Sequence, residues 1–149
     1  MATFLLLNGP NLNLLGTREP EVYGEVTLEE IKRKLESICK KSGAELVSFQ
    51  SNAEHELVDR IQEAESQGIK CIIFNPGAFT HSSIAIRDAL NGTNQKFIEV
   101  HISNIYGRED FRQKSLISKV VSGIICGFGI NGYIMSLKAM NEILKNENR

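Results

Sequence analysis

Cys71-Ile72-Ile73-Phe74-Asn75-Pro76-Gly77 is a run of four apolar residues closed by an asparagine and a Pro-Gly turn. A run this short, with no polar residue alternating in it, predicts a strand buried on both faces. Phe4-Leu5-Leu6-Leu7-Asn8 follows the same plan and stops at Gly9-Pro10. Between them, Thr27-x-x-Glu30 is a capping box, with Leu28, Ile31, Leu35 and Ile38 at helical spacing and Gly43 as the stop signal. Residues 44–49 predict a second strand. Ser51-x-x-Glu54 opens a second helix, with Leu57, Ile61 and Ala64 inward and Gly68 as its end. Beyond Gly77 the pattern predicts a short helix over 82–90, a strand over 97–100 and a fifth strand over 120–126, broken by Gly123. An amphipathic helix over 130–144 closes the chain's regular structure. Strands alternating with helices make a parallel sheet covered on both faces, an α/β three-layer sandwich. Right-handed crossovers leave few topologies, and the flavodoxin-like order 2-1-3-4-5 suits five strands at this size.

With 149 residues the chain is expected to form a single domain, 1–149, able to bury a core without disulfide or metal. The 17 basic and 18 acidic residues give a net charge of −1. Partners such as nucleic acid or a membrane surface want a basic excess, so neither is expected. The small net charge also leaves little repulsion between subunits. Cys39, Cys71 and Cys126 are widely spaced with no C-x-x-C, so they read as core fillers. The first residues lack a basic region and a long apolar run, and no stretch is long enough to cross a membrane, so the expected location is cytoplasmic.

In doubly wound sheets, ligands bind beyond the carboxyl ends of the strands, where the strand order reverses. Asn8, Asn75 and His101 stand at three such ends and are expected to face one crevice. The two longest connections leave from the same edge. Residues 9–26 carry Asn11, Asn13, Arg18, Glu19 and Tyr23, and residues 103–116 carry Arg108, Glu109, Asp110 and Arg112. Long loops in compact domains are commonly functional. Glu99 and His101 share a strand face, so the carboxylate can fix the imidazole tautomer. Taken alone, such a pair serves structure as readily as catalysis. His81 lies near a helix start, and His55, between Glu54 and Glu56, is expected to face solvent. A phenol is a poor base at neutral pH unless a cation favours its ionised form, and Arg18 stands five residues before Tyr23. A tyrosine in such a loop can equally be a packing anchor.

Gly127-Phe128-Gly129-Ile130-Asn131-Gly132 fits G-x-G-x-x-G between a strand and a helix. The dinucleotide fingerprint also needs a following strand with an acidic end, and here the sequence stops after the helix. A tight turn with close strand–helix packing explains the glycines better. No Walker motif is present, and the scattered histidines form no metal-ligand pattern, so neither cofactor nor metal is expected.

Read together, four blocks closely resemble the type II 3-dehydroquinate dehydratases. They are Asn8-Gly-Pro-Asn-Leu-Asn-Leu-Leu-Gly16 with Arg18-Glu-Pro and Tyr23-Gly24; Asn75-Pro-Gly-Ala-Phe-Thr-His-Ser-Ser83 with Ala85-Ile-Arg-Asp-Ala-Leu90; Glu99-Val-His-Ile-Ser-Asn104 with Arg108-Glu-Asp-Phe-Arg112; and Gly127-Phe-Gly129 with Gly132-Tyr133. The resemblance runs in register along essentially the whole chain. Phe79 stands where tyrosine is more usual, and Gln113 where histidine is frequent. The resemblance implies a lyase of the shikimate pathway that dehydrates 3-dehydroquinate to 3-dehydroshikimate by anti elimination through an enolate, without a cofactor. It implies Tyr23 as base, Arg18 as stabiliser of the tyrosinate, Asn11 as a support of the enolate oxygen through water, and His101, oriented by Glu99, as the acid. Asn75, His81 and Arg112 would bind substrate hydroxyls, and the Ile102 and Ser103 amides the carboxylate. Asp88 would reach a neighbouring subunit's site, because the family assembles trimers into dodecamers. The rival reading is a non-enzymatic flavodoxin-like module that binds a small anion at the same edge. It leaves the Arg18–Tyr23 loop without a task.

Overall fold

The computed structural model describes residues 2–147. Five strands, β1 (Thr3–Asn8), β2 (Glu45–Gln50), β3 (Cys71–Asn75), β4 (Lys96–His101) and β5 (Gly123–Cys126), pair in parallel in the order β2-β1-β3-β4-β5. This is the flavodoxin-like α/β order that the sequence pattern predicts. The helices are α1 (Pro20–Tyr23), α2 (Leu28–Lys41), α3 (Glu54–Ser66), α4 (Ile84–Asn91) and α5 (Asn131–Glu147).

Alternation along the strands sorts the core into two layers. Phe4, Leu6, Cys71, Ile73, Ile98 and Val100 pack with Ile31 and Leu35 of α2 and with Leu137 and Met140 of α5. Leu5, Leu7, Ile72, Phe74 and Phe97 pack with Leu57 and Ile61 of α3 and with Ile86 and Leu90 of α4. The central strands β1 and β3 are apolar on both sides because both sides are covered. Asn8 continues the Phe4–Leu6 face and Asn75 continues the Cys71–Ile73 face, so both turn towards the α2/α5 layer. They are register partners at the carboxyl ends of their strands.

Three local expectations are corrected. The fifth strand begins at Gly123 and not at Val120. Ser118–Val120 form a 3-10 turn, whose start is held by Ser115 Oγ accepting from the Ile117 and Ser118 amides. Val120 and Val121 pack against the α3/α4 layer and so supply apolar contact rather than strand pairing. Ser51 does not cap α3. Its amide donates to the Asn8 carbonyl at 3.1 Å, which keeps it on the sheet, and its hydroxyl accepts from Ala53 N at 2.9 Å in a local turn. Residues 9–26 are not simply a loop, since α1 lies within them. By contrast Thr27 does cap α2, its hydroxyl oxygen accepting from Glu30 N at 3.2 Å. Cys39 and Cys71 are buried in the core, whereas Cys126 on the edge strand is half-buried. No helix among the described residues is long and apolar enough to cross a membrane.

The glycines of the G-x-G-x-x-G stretch build the β5–α5 turn. A Cβ on Gly132 would stand 3.1 Å from Val100 Cγ2, so glycine lets α5 lie close on β4.

Candidate active site

The site grows from the strand ends. Beyond β1 and β3 the backbones stay in contact: the Gly9 amide donates to the Asn75 carbonyl at 2.8 Å, and a Cβ on Gly9 would come within 2.4 Å of the Pro76 oxygen. Only glycine permits this approach. The two turns form the floor of a cleft. Asn11, Arg18 and Tyr23 line it from the first long connection, and Asn75 and His81 from the β3–α4 segment. His101, Ile102, Ser103, Arg108 and Arg112 close the other side. Nine of the expected site residues therefore meet in one crevice, at the switch point that the topology dictates.

Tyr23 ends α1 and is half-buried. Arg108 Nη1 donates to its phenolic oxygen at 2.7 Å, and Arg18 Cζ lies 4.9 Å from the ring centroid. Arg18 thus stands over the ring face, while Arg108 addresses the oxygen. The two cations are donated by separate connections and reach the phenol at its ring face and at its oxygen. Two non-glycine residues in this connection are left-handed, Asn11 at φ 68° and Glu19 at φ 40°. Asn11 is held there because its amide donates to Asn52 Oδ1 at 2.9 Å. Gln50 Nε2, at the end of β2, ties Asn52 Oδ1 and the Gly9 carbonyl together, at 3.1 Å to each.

His101 is held differently. Its Nε2–H donates to Glu99 Oε2 at 2.7 Å, and Glu99 is fully buried. The Ser118 hydroxyl donates to Glu99 Oε1 at 3.0 Å, so the carboxylate is gripped from two sides. Nδ1 is the ring nitrogen left for the crevice. His81 Nδ1–H donates to the Lys114 carbonyl at 2.7 Å, which leaves its Nε2 as an acceptor in the neutral ring. Arg112 pairs with Glu109, and that hydrogen bond, helped by the charges of Arg112 and Arg108, holds the Glu109 carboxyl below its usual range. The Ile102 and Ser103 amides follow the end of β4, and neither donates to another group among the described residues.

Asn75 is almost wholly buried and hydrogen-bonded to the buried Tyr133. Burial pushes the Tyr133 phenol far above its usual range, with the Asn75 hydrogen bond opposing only part of the shift. Asp88 is exposed on α4 beside Ala85 and Ala89 and does not line this cleft. His55 is exposed. Three residues acquire contacts that the sequence reading did not assign: Arg108, Ser118 and Tyr133. Arg108 lay in a connection already suspected, but nothing in its spacing aims it at Tyr23, 85 positions away.

A cationic cleft at the switch point of a flavodoxin-like sheet, with a phenol under two arginines on one wall and a carboxylate-held histidine on the other, is an arrangement of an α/β protein that can carry acid–base chemistry. Residues 2–141 match the family model described as dehydroquinase class II. A 3-dehydroquinate dehydratase of Thioalkalivibrio sulfidiphilus is 58% identical over 139 residues, 93% of this chain and 95% of that protein. One from Pseudomonas savastanoi pv. phaseolicola is 55% identical, covering 97% of this chain and 96% of that protein. The crystal structure of a type II dehydroquinase from Butyrivibrio crossotus superimposes with a TM-score of 0.92 at 45% identity, covering 94% of this chain and 97% of that one. The chain belongs to the class II dehydroquinase family.

Proposed function

We infer that this chain is a type II 3-dehydroquinate dehydratase, a hydro-lyase of the shikimate pathway, and that Tyr23 and His101 are its base and acid. The observation that carries the assignment is the pairing in one cleft of the Arg108-bonded Tyr23 oxygen with a Glu99-held His101. In the proposed reaction the Tyr23 phenolate removes a proton from the carbon beside the substrate ketone. The electron pair moves onto the ketone oxygen as an enolate, which Asn11 supports through a water. Preorganised donors matter more here than base strength, because the charge develops on oxygen. The enolate then collapses, the carbon–oxygen bond to the leaving hydroxyl breaks, and the proton on His101 Nδ1 leaves with it as water. Glu99 supplies the counter-charge for the protonated ring and keeps Nδ1 aimed at the cleft. Arg18 and Arg108 stabilise the phenolate that starts the cycle.

Asn75, His81 and Arg112 are proposed to hold substrate hydroxyls, and the Ile102 and Ser103 amides its carboxylate. Their outward N–H groups suit an anion. Asp88, exposed on α4 and away from its own cleft, is proposed to complete a neighbouring subunit's site in a dodecamer built from trimers. The chain is proposed to act as one catalytic domain in the cytoplasm, with no cofactor or metal and no nucleic-acid or membrane partner. Mixing purified protein with 3-dehydroquinate should raise absorbance in the enone band of 3-dehydroshikimate; no change at any pH would favour the anion-binding module instead.

A further inference from the structure

We propose that Tyr133, buried in the α2/α5 layer, is a positioning residue that locks the carboxamide of Asn75 in one orientation and so makes it present an N–H to the substrate. This rests on the placing of Asn75 in the substrate site. Asn8 and Asn75 are register partners on β1 and β3, and the Tyr133 hydroxyl from α5 bridges them. A phenol has one proton. Tyr133 donates it to Asn8 Oδ1 at 2.7 Å, so towards Asn75 it can only accept, and Asn75 Nδ2 donates to it at 2.9 Å. The far end of the amide agrees: Asn75 Oδ1 accepts from the Gly77 amide at 3.1 Å. Turning the carboxamide over would set its oxygen against the tyrosine lone pairs and its NH2 against the Gly77 N–H, breaking both bonds at once. In a site this buried, such losses are not made good by water.

The lock has a chemical consequence. Of the two hydrogens on Asn75 Nδ2 one is taken by Tyr133, and the other is free for the cleft that Asn75 lines. The substrate group facing Asn75 therefore acts as an acceptor, as a hydroxyl or carboxylate oxygen can. Because one proton sets the direction of the whole chain, either end of it controls the amide. Tyr133→Phe removes the acceptor for Nδ2. Asn8→Val leaves the phenol proton without its partner, free to turn to Asn75 Oδ1 and invert the amide.

The test is a double-mutant cycle on kcat/KM for 3-dehydroquinate. Tyr133→Phe is expected to lower kcat/KM about tenfold, mostly through KM, and less than about twofold when Asn75 is already alanine. The pH limbs of the rate profile should not move, since Tyr133 exchanges no proton with substrate. Asn8→Val should reproduce the loss, and it carries the test if the phenylalanine variant does not fold. NMR on asparagine-labelled protein reads the lock without turnover: one Asn75 Nδ2 proton should be protected from exchange in the native protein and lose that protection in either variant. A tenfold loss that persists in the Asn75→Ala background overturns the proposal, as does an Asn75 carboxamide equally protected in all forms. Native protein that shows the protection but does not turn over 3-dehydroquinate would leave the lock standing and overturn the functional assignment.

Discussion

The two walls of the cleft are built on opposite plans. The wall of the proposed base is residues 9–26, a connection with a 3-10 turn and one short helix, two left-handed non-glycine residues and a half-buried Tyr23 flanked by Arg18 from within the connection and Arg108 from beyond it. The wall of the proposed acid is the end of β4, where Glu99 is buried within the sheet and grips His101 at 2.7 Å. The proposed base therefore stands among charges and the proposed acid is held by packing. A phenolate needs cations that can approach an oxygen from several directions, which long arginines on connections provide. A histidine that must give its proton from one nitrogen needs a fixed ring, which a buried carboxylate on the same strand face provides.

Substitutions on each wall sharpen or break that contrast. The largest effect is expected for Tyr23→Phe, a loss of at least about a thousandfold in kcat with little change in substrate binding. Near-normal turnover would remove Tyr23 from its role. Glu99→Gln should reduce kcat by about a hundredfold, because the ring keeps a hydrogen-bond partner and loses its counter-charge. Arg108→Leu is expected to lower kcat about tenfold, since the phenolic oxygen loses its charged hydrogen-bond partner. Unchanged turnover would mean that Arg18 alone serves the phenol. Stability separates the walls in the reverse direction. Glu99→Ala leaves the buried His101 ring and the half-buried Ser118 hydroxyl without their shared partner and should lower unfolding free energy by about 1–3 kcal/mol, whereas Tyr23→Phe should change it by less than about 0.5 kcal/mol. Equal denaturant midpoints for the two variants would show that the walls are not built differently. Ser118→Ala should have the smallest effect, a few-fold in kcat, as Glu99 keeps its bond to His101.

Legibility followed the same division. Glu99 and His101 are two residues apart on one strand, so a local rule brings them together. Asn8 and Asn75 each end an apolar run, and strand parity places both on the α5 side. The approach of Arg108 to Tyr23, of Ser118 to Glu99 and of Tyr133 to Asn75 joins residues 85, 19 and 58 positions apart. No periodicity encodes such a meeting. The turn at Ser118–Val120 misleads for a related reason: its valines are apolar because they pack on α3 and α4, and composition alone cannot separate that from strand pairing.

By itself, the order of apolar runs and capping signals determined a five-stranded parallel sheet and the edge at which polar residues collect, because secondary structure and crossover handedness are set by near neighbours. Four distinct motifs in register pointed to the family. Tertiary structure alone decided which arginine addresses the phenol, which serine holds the carboxylate and which way the Asn75 amide faces. Those depend on side chains brought within hydrogen-bond distance only when the helices dock on the sheet and the long connections fold over its edge.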